Sequence, residues 1–397
     1  WLNILCVRIV FCLYAEDAEI FTHDQFHDYL VRYDAEDLRR ALRDLFDVLN
    51  TPIEQRSKYL KDDLKAFPYT NGGLFEEQIE IPQFTEELKQ TLLQNASLDF
   101  DWSEISPTIF GAVFESTLNP ETRRSGGMHY TSIENIHKVI DPLFLDELND
   151  KLKEALSYKG THYKTIKARR DRLLSLQNEL AALTFLDPAC GSGNFLTETY
   201  LSLRHIENEI LRELQLNMQA FEMEEAFSPI KVTLGQFYGI EINDFAVAVA
   251  RTALWIAEAQ TLEETESIFK THFDFFPLKS YTNIHEGNAL RIDWNDVVSA
   301  GELNYIMGNP PFIGARFKSA EQGEDLIAVF GNQWKNIGNL DYVTGWYKKS
   351  LDMMIIHPAI KAAFVSTNSV TQGEQVAALW KPLMEAGIHI DFAWRTF

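Results

Sequence analysis

The pattern of apolar positions divides the chain into a helical first part and an alternating second part. Up to about residue 100, apolar residues recur at spacings of three and four, as in DLRRALRDLFDVLN (37–50), which is the period of amphipathic helices. The opening stretch, WLNILCVRIVFCLYAED, is apolar almost throughout but contains Arg8 and ends in acidic residues. It is too short to span a bilayer and has no signal-peptide cleavage pattern, so it predicts a buried core helix.

From about residue 180, short apolar runs alternate with amphipathic helical patterns. Six strands are predicted, within LTFLDPACGSG, VTLGQFYGIEIN, YTNIHEGNAL, LNYIMGNPPF, AAFVSTNSV and HIDFAWRTF. Strands separated by helices predict a doubly wound, mostly parallel sheet, whose ligands bind at the carboxyl ends of the strands. The fold class is therefore α/β, preceded by an all-helical region.

Composition and charge narrow the possible functions. The 397 residues are 46% hydrophobic and 24% charged, which is ordinary for a globular protein. Three cysteines, Cys6, Cys12 and Cys190, form neither a disulfide framework nor a metal-ligand spacing, which fits a reducing cytoplasm. The net charge of −22 predicts that this chain alone binds DNA poorly, although YKTIKARRDR (163–172) is basic.

A glycine-rich turn follows the first predicted strand of the alternating part. Gly191 and Gly193 let the backbone approach a ligand closely and leave the N–H groups of the next helix accessible. A phosphate-binding P-loop would add a Lys-Ser/Thr pair, and an NAD fingerprint a third glycine; both are missing here. Cys190 lies in this turn without a base to activate it, so we interpret it as a small packing residue.

Two further polar residues end predicted strands. Glu241 follows Ile240 and precedes Ile242, and we expect both isoleucines to point into a core and the carboxylate to accept hydrogen bonds from a ribose diol. Asn288 ends the next strand, and its amide offers a donor and an acceptor that could read an adenine edge. Together with the glycine turn, they indicate a nucleoside-containing ligand.

The fourth predicted strand ends in GNPPFIG (308–314), where consecutive prolines cannot continue a strand. With the preceding motifs, this pattern resembles the class I S-adenosylmethionine (SAM) methyltransferases, and specifically the amino-methylating DNA methyltransferases of the γ arrangement. GGMHYTS (126–132), DPACGSGNF (187–195), GIEIN (239–243) and NPPF (309–312) resemble their motifs X, I, II and IV. Asn288 departs from the aspartate common in the third motif, and the chain ends before the last strand and motif VIII expected from the resemblance.

The resemblance implies a set of site residues. Asn309, Pro310, Pro311 and Phe312 would be catalytic, with Asn309 and the Pro310 carbonyl accepting hydrogen bonds from the target amine and Phe312 stacking on a flipped base. The residues implied for cofactor binding are Tyr130, Thr131, Asp187, Pro188, Ala189, Gly191, Gly193, Asn194, Phe195, Glu241, Ile242, Asn288 and Ala289. No metal is expected for methyl transfer.

The helical part and NSVTQGEQV (368–376) extend the resemblance to the type IIG/IIL (MmeI-like) fused restriction–modification enzymes. We therefore expect a helical connector over residues 1–100 and a SAM-dependent methyltransferase domain over residues 101–397. The implied partner is double-stranded DNA, with nuclease and target-recognition domains elsewhere in a longer parent chain, in a prokaryotic cytoplasm and without a membrane.

Three alternatives stay open at this point. Cytosine-N4 methylation needs the same chemistry, but its family pattern prefers Ser or Asp at position 309. Protein glutamine methyltransferases also carry Asn-Pro-Pro-aromatic, but they are short single-domain chains. A non-catalytic SAM-binding scaffold for a nuclease or specificity partner would have no need of Asn309, Pro310 and Phe312.

Overall fold

A computed structural model describes residues 1–70, 74–111, 131–158, 162–216, 229–270, 283–331 and 334–394. The expected cofactor residue Tyr130 lies outside these ranges. Among the described helices, none combines the length and the apolar character that crossing a bilayer requires.

The N-terminal part is helical, as its periodicity predicts. Its α-helices are α1 Leu2–Asp17, α2 Gln25–Val31, α3 Ala35–Leu49, α4 Asp62–Lys65 and α5 Glu86–Gln90, with a 3₁₀ turn at Ile53–Gln55 and a π-helical turn at Thr91–Leu98. Helix α1 buries side chains around most of its circumference, among them Leu5, Phe11 and Tyr14, because apolar residues occur on all its faces. The prediction of a buried core helix is confirmed.

The N-terminal helices pack directly on the second part of the chain. The ring of Phe11 meets Trp255 edge-on at 6.2 Å, and Tyr14 Oη donates to the carbonyl of Ile256 at 3.4 Å. Gln260 Nε2 donates to the carbonyls of Ser103 and Ile105 at 3.1 and 2.9 Å. One hydrophobic core therefore runs from α1 into the helices that cover the sheet.

The second part alternates strands with helices. Its strands are β1 Phe185–Asp187, β2 Phe237–Glu241, β3 Ile284–Glu286, β4 Tyr305–Gly308 and β5 Lys361–Phe364. Its α-helices are α6 Ile133–Ile140, α7 Asp146–Ser157, α8 Tyr163–Ala182, α9 Asn194–Leu216, α10 Asp244–Phe269, α11 Trp294–Val297, α12 Ala320–Phe330, α13 Thr344–Ile356 and α14 Lys381–Glu385. Short 3₁₀ or π-helical turns occur at Asp141–Leu145, Leu234–Gln236, Ile337–Asn339, Asn368–Thr371 and Val376–Trp380.

All five strands pair in parallel in the order β3-β2-β1-β4-β5. Successive residues of a strand face opposite sides, so Phe185 packs in the core shared with α9 and α10, whereas Leu186 packs in a second core with α12 and α13. The chain builds outward from β1 to β3, then returns to the other side of β1 with β4. This reversal opens a crevice between the carboxyl ends of β1 and β4.

The sixth predicted strand does not form where the structure describes it. Residues 389–394 have no strand conformation, and Ile390 and Trp394 are more than half exposed. A strand is held by hydrogen bonds to a neighbour, and residues 389–394 pair with none of the five described strands. The prediction is wrong for 389–394, and residues 395–397 lie outside the described ranges.

Candidate active site

A pocket opens at the carboxyl ends of β1 to β4, in the crevice that the topology predicts. Most of its walls come from the loops that follow these strands, and helices α12 and α13 close one side. The residues that line it are Thr131, Asp187, Pro188, Ala189, Cys190, Gly191, Ser192, Asn194, Phe195, Ile240, Glu241, Ile242, Gly287, Asn288, Ala289, Asn309, Pro311, Gln322, Tyr342 and Trp346. Thirteen of the seventeen site residues implied by the resemblance are in this set.

The loop after β1 is shaped by its glycines. Gly191 and Gly193 have φ of +53° and +83°, conformations that a side chain disfavours. Gly193 does not line the pocket: a Cβ there would meet the Cβ of Ala250 at 3.0 Å, so this glycine lets the loop pack against α10. The loop is tied to β2, because Cys190 N–H donates to the carbonyl of Ile240 at 3.1 Å.

Glu241 is buried at the end of β2 and faces the glycine loop. Its Oε2 accepts from Gly191 N–H at 3.0 Å and its Oε1 accepts from Asn243 N–H at 2.9 Å. A carboxylate only accepts hydrogen bonds, so the donors that face Glu241 are N–H or O–H groups. The expectation for its neighbours is half right: Ile240 is buried, but Ile242 is 62% exposed because β2 ends at Glu241 and the chain turns outward there.

Asn288 follows β3 and already bonds within the protein. Its Nδ2 donates to Asp325 Oδ2 at 2.9 Å, and its Oδ1 accepts from Leu290 N–H at 2.9 Å. Its side chain still lines the pocket. A hydrogen bond from Asn288 to a bound purine must therefore use the second N–H of Nδ2 or the second lone pair of Oδ1.

Asn309 follows β4, and its amide is oriented by a distant residue. Its Nδ2 donates to the hydroxyl of buried Thr131 at 3.0 Å, across 178 positions of sequence. Since the nitrogen faces Thr131, the oxygen is the end of the amide directed elsewhere. The structure thus brings Thr131 of the expected motif X to the Asn-Pro-Pro-Phe motif.

The rest of this motif is fixed by the segment that follows α12. Pro311 lines the pocket, Pro310 is buried and Phe312 is half-buried against the second core. Ile313 N–H donates to Asp341 Oδ1 at 2.9 Å, and the Ile313 carbonyl accepts from the backbone N–H of Tyr342 at 3.0 Å. The motif is therefore held on both sides, by β4 before it and by this segment after it.

The ends of β1 and β4 touch at Gly308. A Cβ on Gly308 would lie 2.3 Å from Asp187 Oδ1, and the φ of Gly308 is +152°. The Asp187 carboxylate is buried and accepts from Ala189 N–H at 3.0 Å. Burial, with a smaller contribution from the charge of Glu241, raises the pKa of Asp187 to about 8.

Cys190 is an unsuitable nucleophile despite lining the pocket. Burial, followed by the charges of Asp187 and Glu241, raises the pKa of its thiol well above the ordinary value, so the thiolate is disfavoured. This agrees with its interpretation as a packing residue. Its Sγ would lie 2.8 Å from a Cβ on Gly239 of β2, which shows how closely the loop sits on the sheet.

One wall of the pocket consists of residues that were not predicted from the sequence. Trp346 Nε1 donates to the carbonyl of Pro188 at 3.0 Å, and Tyr342 meets Trp346 edge-on at 5.4 Å. Gln322 belongs to the capping box that starts α12. The Ser-x-x-Gln signal at 319–322 and the aromatic spacing of four at 342–346 could have identified helix starts, but not their position against the first motif.

The fold and the site together define a methyltransferase domain, as the motifs predict. Residues 163–397 match the family described as the MmeI DNA-methyltransferase domain, and residues 1–75 match the MmeI helicase spacer domain. The first match covers more than half of the chain, so the chain belongs to the MmeI family of DNA-methyltransferase domains.

Individual relatives agree with this assignment. DNA methyltransferase A of Bacillus subtilis (strain 168) is 39% identical over 406 residues, which cover 100% of this chain and 43% of the relative. A putative type II restriction enzyme and methyltransferase of Methanocaldococcus jannaschii is 27% identical over 339 residues, covering 74% of this chain and 27% of the relative. The chain therefore spans less than half the length of these relatives.

A solved structure shares the fold over the whole chain. This structure is that of the type IIL restriction-modification enzyme MmeI in complex with DNA, and it superposes on the chain with a TM-score of 0.87 and 42% sequence identity. The match covers 100% of this chain and 52% of the MmeI chain. The match includes the helical N-terminal part as well as the part that holds the parallel sheet.

Proposed function

We propose that this chain transfers the methyl group of SAM to the exocyclic N6 amine of an adenine flipped out of duplex DNA, as part of a restriction–modification enzyme. The observation that carries the proposal is the orientation of Asn309: its amide nitrogen donates to Thr131, so its oxygen is directed away from Thr131 and would accept from a substrate amine.

The residues of the pocket fit SAM. Glu241 is a buried carboxylate that would accept from ribose hydroxyls, the positive-φ turn at Gly191 admits close approach of a ligand, and Asn288 lines the same pocket with an amide suited to a purine edge. Pro188 and Ile242 also line the pocket, and their apolar side chains suit contact with the face of a purine base. When bound, SAM supplies an electrophilic methyl group on a sulfonium.

Asn309 and Pro310 would activate the target amine. The adenine N6 amine is a weak nucleophile because its lone pair is delocalised into the ring. Two acceptors on its hydrogens, Asn309 Oδ1 and the Pro310 carbonyl, localise that pair and aim it along the line of attack. Both bonds strengthen as positive charge develops on nitrogen, so they favour the transition state over the ground state.

Phe312 would stabilise the extruded base. A flipped adenine loses stacking worth a few kcal/mol, and an aromatic face beside the acceptors offsets part of that loss. With a net charge of −22, the chain gains little from phosphate contacts, so we propose that target-recognition and nuclease domains of the parent chain supply much of the DNA binding. We also infer that the helical connector gives way to the methyltransferase domain near residue 100.

The experiment uses the full-length protein with methyl-labelled SAM and duplex DNA, followed by digestion to nucleosides and identification of the labelled one. We expect label on adenine N6, lost in Asn309→Ala. Label on cytosine would retain the mechanism and change the target. Absence of label on DNA, with SAM still bound, would contradict the proposal and favour a protein substrate or a scaffold.

A further inference from the structure

Asp325 is a buried carboxylate just behind the pocket wall. It belongs to α12, is 3% exposed and does not itself line the pocket. Donors from three segments converge on it: Arg291 Nε at 2.6 Å, Tyr342 Oη at 2.8 Å and Asn288 Nδ2 at 2.9 Å. Burial alone would raise the pKa of Asp325, but hydrogen bonds from these donors outweigh burial and leave that pKa below the ordinary value. The carboxylate is therefore ionised at neutral pH.

The ionised carboxylate fixes the orientation of the Asn288 amide. A carboxylate only accepts hydrogen bonds, so it must face the amide nitrogen, while Oδ1 accepts from Leu290 N–H at 2.9 Å. Rotating the amide by half a turn would place oxygen against oxygen at Asp325 and nitrogen against the N–H of Leu290. Both ends are thus anchored, and the oxygen keeps a second lone pair for a ligand in the pocket.

We infer that Asp325 is a positioning residue that makes the pocket selective for a 6-aminopurine, because it locks Asn288 with an acceptor oxygen available to the ligand. The inference rests on the proposed function, since it takes the adenosyl group as the ligand of this pocket. Adenine carries an amine donor at position 6, whereas hypoxanthine carries an oxygen acceptor there. An amide that rotates freely serves both bases, and a locked amide favours adenine.

The same geometry explains why asparagine suits position 288. An aspartate there would also offer acceptors, but it would face Asp325 oxygen to oxygen at the 2.9 Å now spanned by a hydrogen bond. Two carboxylates at that distance cannot both be ionised. Asn288 and Asp325 therefore form a matched donor–acceptor pair.

The test compares the affinities of S-adenosylhomocysteine and S-inosylhomocysteine by calorimetry. We expect the wild-type protein to prefer the adenosyl ligand at least tenfold. In Asp325→Ala that preference should fall by up to about tenfold, the factor for one hydrogen bond between neutral groups. A ratio of two ligands on one folded protein is insensitive to a general loss of stability. The matched control is Asp352→Asn, which should keep the wild-type ratio of the two affinities. In the wild type, Asp352 accepts from Lys348 Nζ at 2.5 Å on the same helix, α13.

A second pair of variants tests the inference even if Asp325→Ala folds poorly. Asn288→Asp should weaken S-adenosylhomocysteine binding about tenfold, and adding Asp325→Asn should restore it to within about threefold, because the new amide at 325 donates to the new carboxylate at 288. An unchanged ligand ratio in Asp325→Ala, or no recovery in the double variant, would overturn the inference. A wild-type protein that binds neither ligand would overturn the proposed function as well.

Discussion

Replacing Gly308 with alanine tests whether the cofactor loop and the Asn-Pro-Pro-Phe motif depend on close contact between β1 and β4. Gly308 is the last residue of β4, with a φ of +152°, and its missing Cβ leaves room for Asp187 Oδ1. The perturbation has two parts: a side chain in a backbone conformation that suits glycine, and a methyl group placed 2.3 Å from a carboxylate oxygen.

The two parts add to a large fraction of a domain's stability. Holding alanine in a sparsely populated region of φ and ψ costs of order 1–3 kcal/mol. Asp187 is 1% exposed and cannot turn into solvent, so relieving the overlap requires shifting the loop after β1, and overpacking of this kind costs about 1–3 kcal/mol. We expect Gly308→Ala to lower the free energy of unfolding by about 2–6 kcal/mol and to weaken SAM binding.

Urea unfolding and calorimetric titration with SAM measure both effects. The double variant Gly308→Ala/Asp187→Ala lacks the Asp187 oxygen that the new methyl group would meet. Its loss of stability should therefore be smaller than the sum of the losses in the two single variants. Gly323→Ala is the matched control: Gly323 is inside α12 with no atom within 4 Å of a Cβ, so alanine should raise stability by about 0.5–1 kcal/mol. Wild-type stability and SAM affinity in Gly308→Ala would refute the reasoning.

Three further predictions concern single side chains. Asn309→Ala should lower the single-turnover rate of methyl transfer by a factor on the order of 10²–10³ while SAM affinity, measured by titration, stays near that of the wild type; a large loss of affinity would contradict its assignment to the target amine. Glu241→Ala should weaken SAM binding about tenfold or more, because it removes a ribose acceptor and leaves Gly191 and Asn243 N–H without their carboxylate, and unaltered affinity would exclude Glu241 from the ribose. The raised pKa of Asp187, about 8, means that the folded protein keeps a proton that the unfolded chain loses near pH 4, so wild-type stability should fall by up to about 1.4 kcal/mol per pH unit from this group as pH rises from about 4 to about 8. Asp187→Asn should remove that contribution. The prediction is wrong if the free energy of unfolding, measured with urea across pH 5–8, changes with pH equally in the two proteins.

Features set by local chemistry could be predicted from the sequence. The buried helix α1 follows from its nearly continuous apolar residues, and the five parallel strands follow from short apolar runs between amphipathic helices. Gly191 lies in a turn that needs a positive φ, and the prolines after Asn309 end β4. The position of these loops at one edge of the sheet also follows, because parallel strands bring their carboxyl ends together.

The predictions that failed depended on neighbours remote in sequence. The apolar alternation of residues 389–394 resembles a strand, but a strand forms only by pairing, and in the described residues this segment pairs with no strand of the sheet. Ile240 and Ile242 were both expected to point into a core because they flank Glu241 at a predicted strand end, yet β2 ends at Glu241 and only Ile240 is buried. Periodicity describes a segment and does not specify what packs against it.

The sequence by itself determined the order of the strands along the chain, the loops that carry polar residues, and the class of chemistry those residues support. Only the tertiary structure decided which polar atoms are used within the protein. Thr131 orients Asn309 from 178 positions away, and Asp325 anchors Asn288 from 37 positions away. Such pairs form because the packing of whole helices and strands brings them within hydrogen-bond distance, and no local pattern encodes that distance.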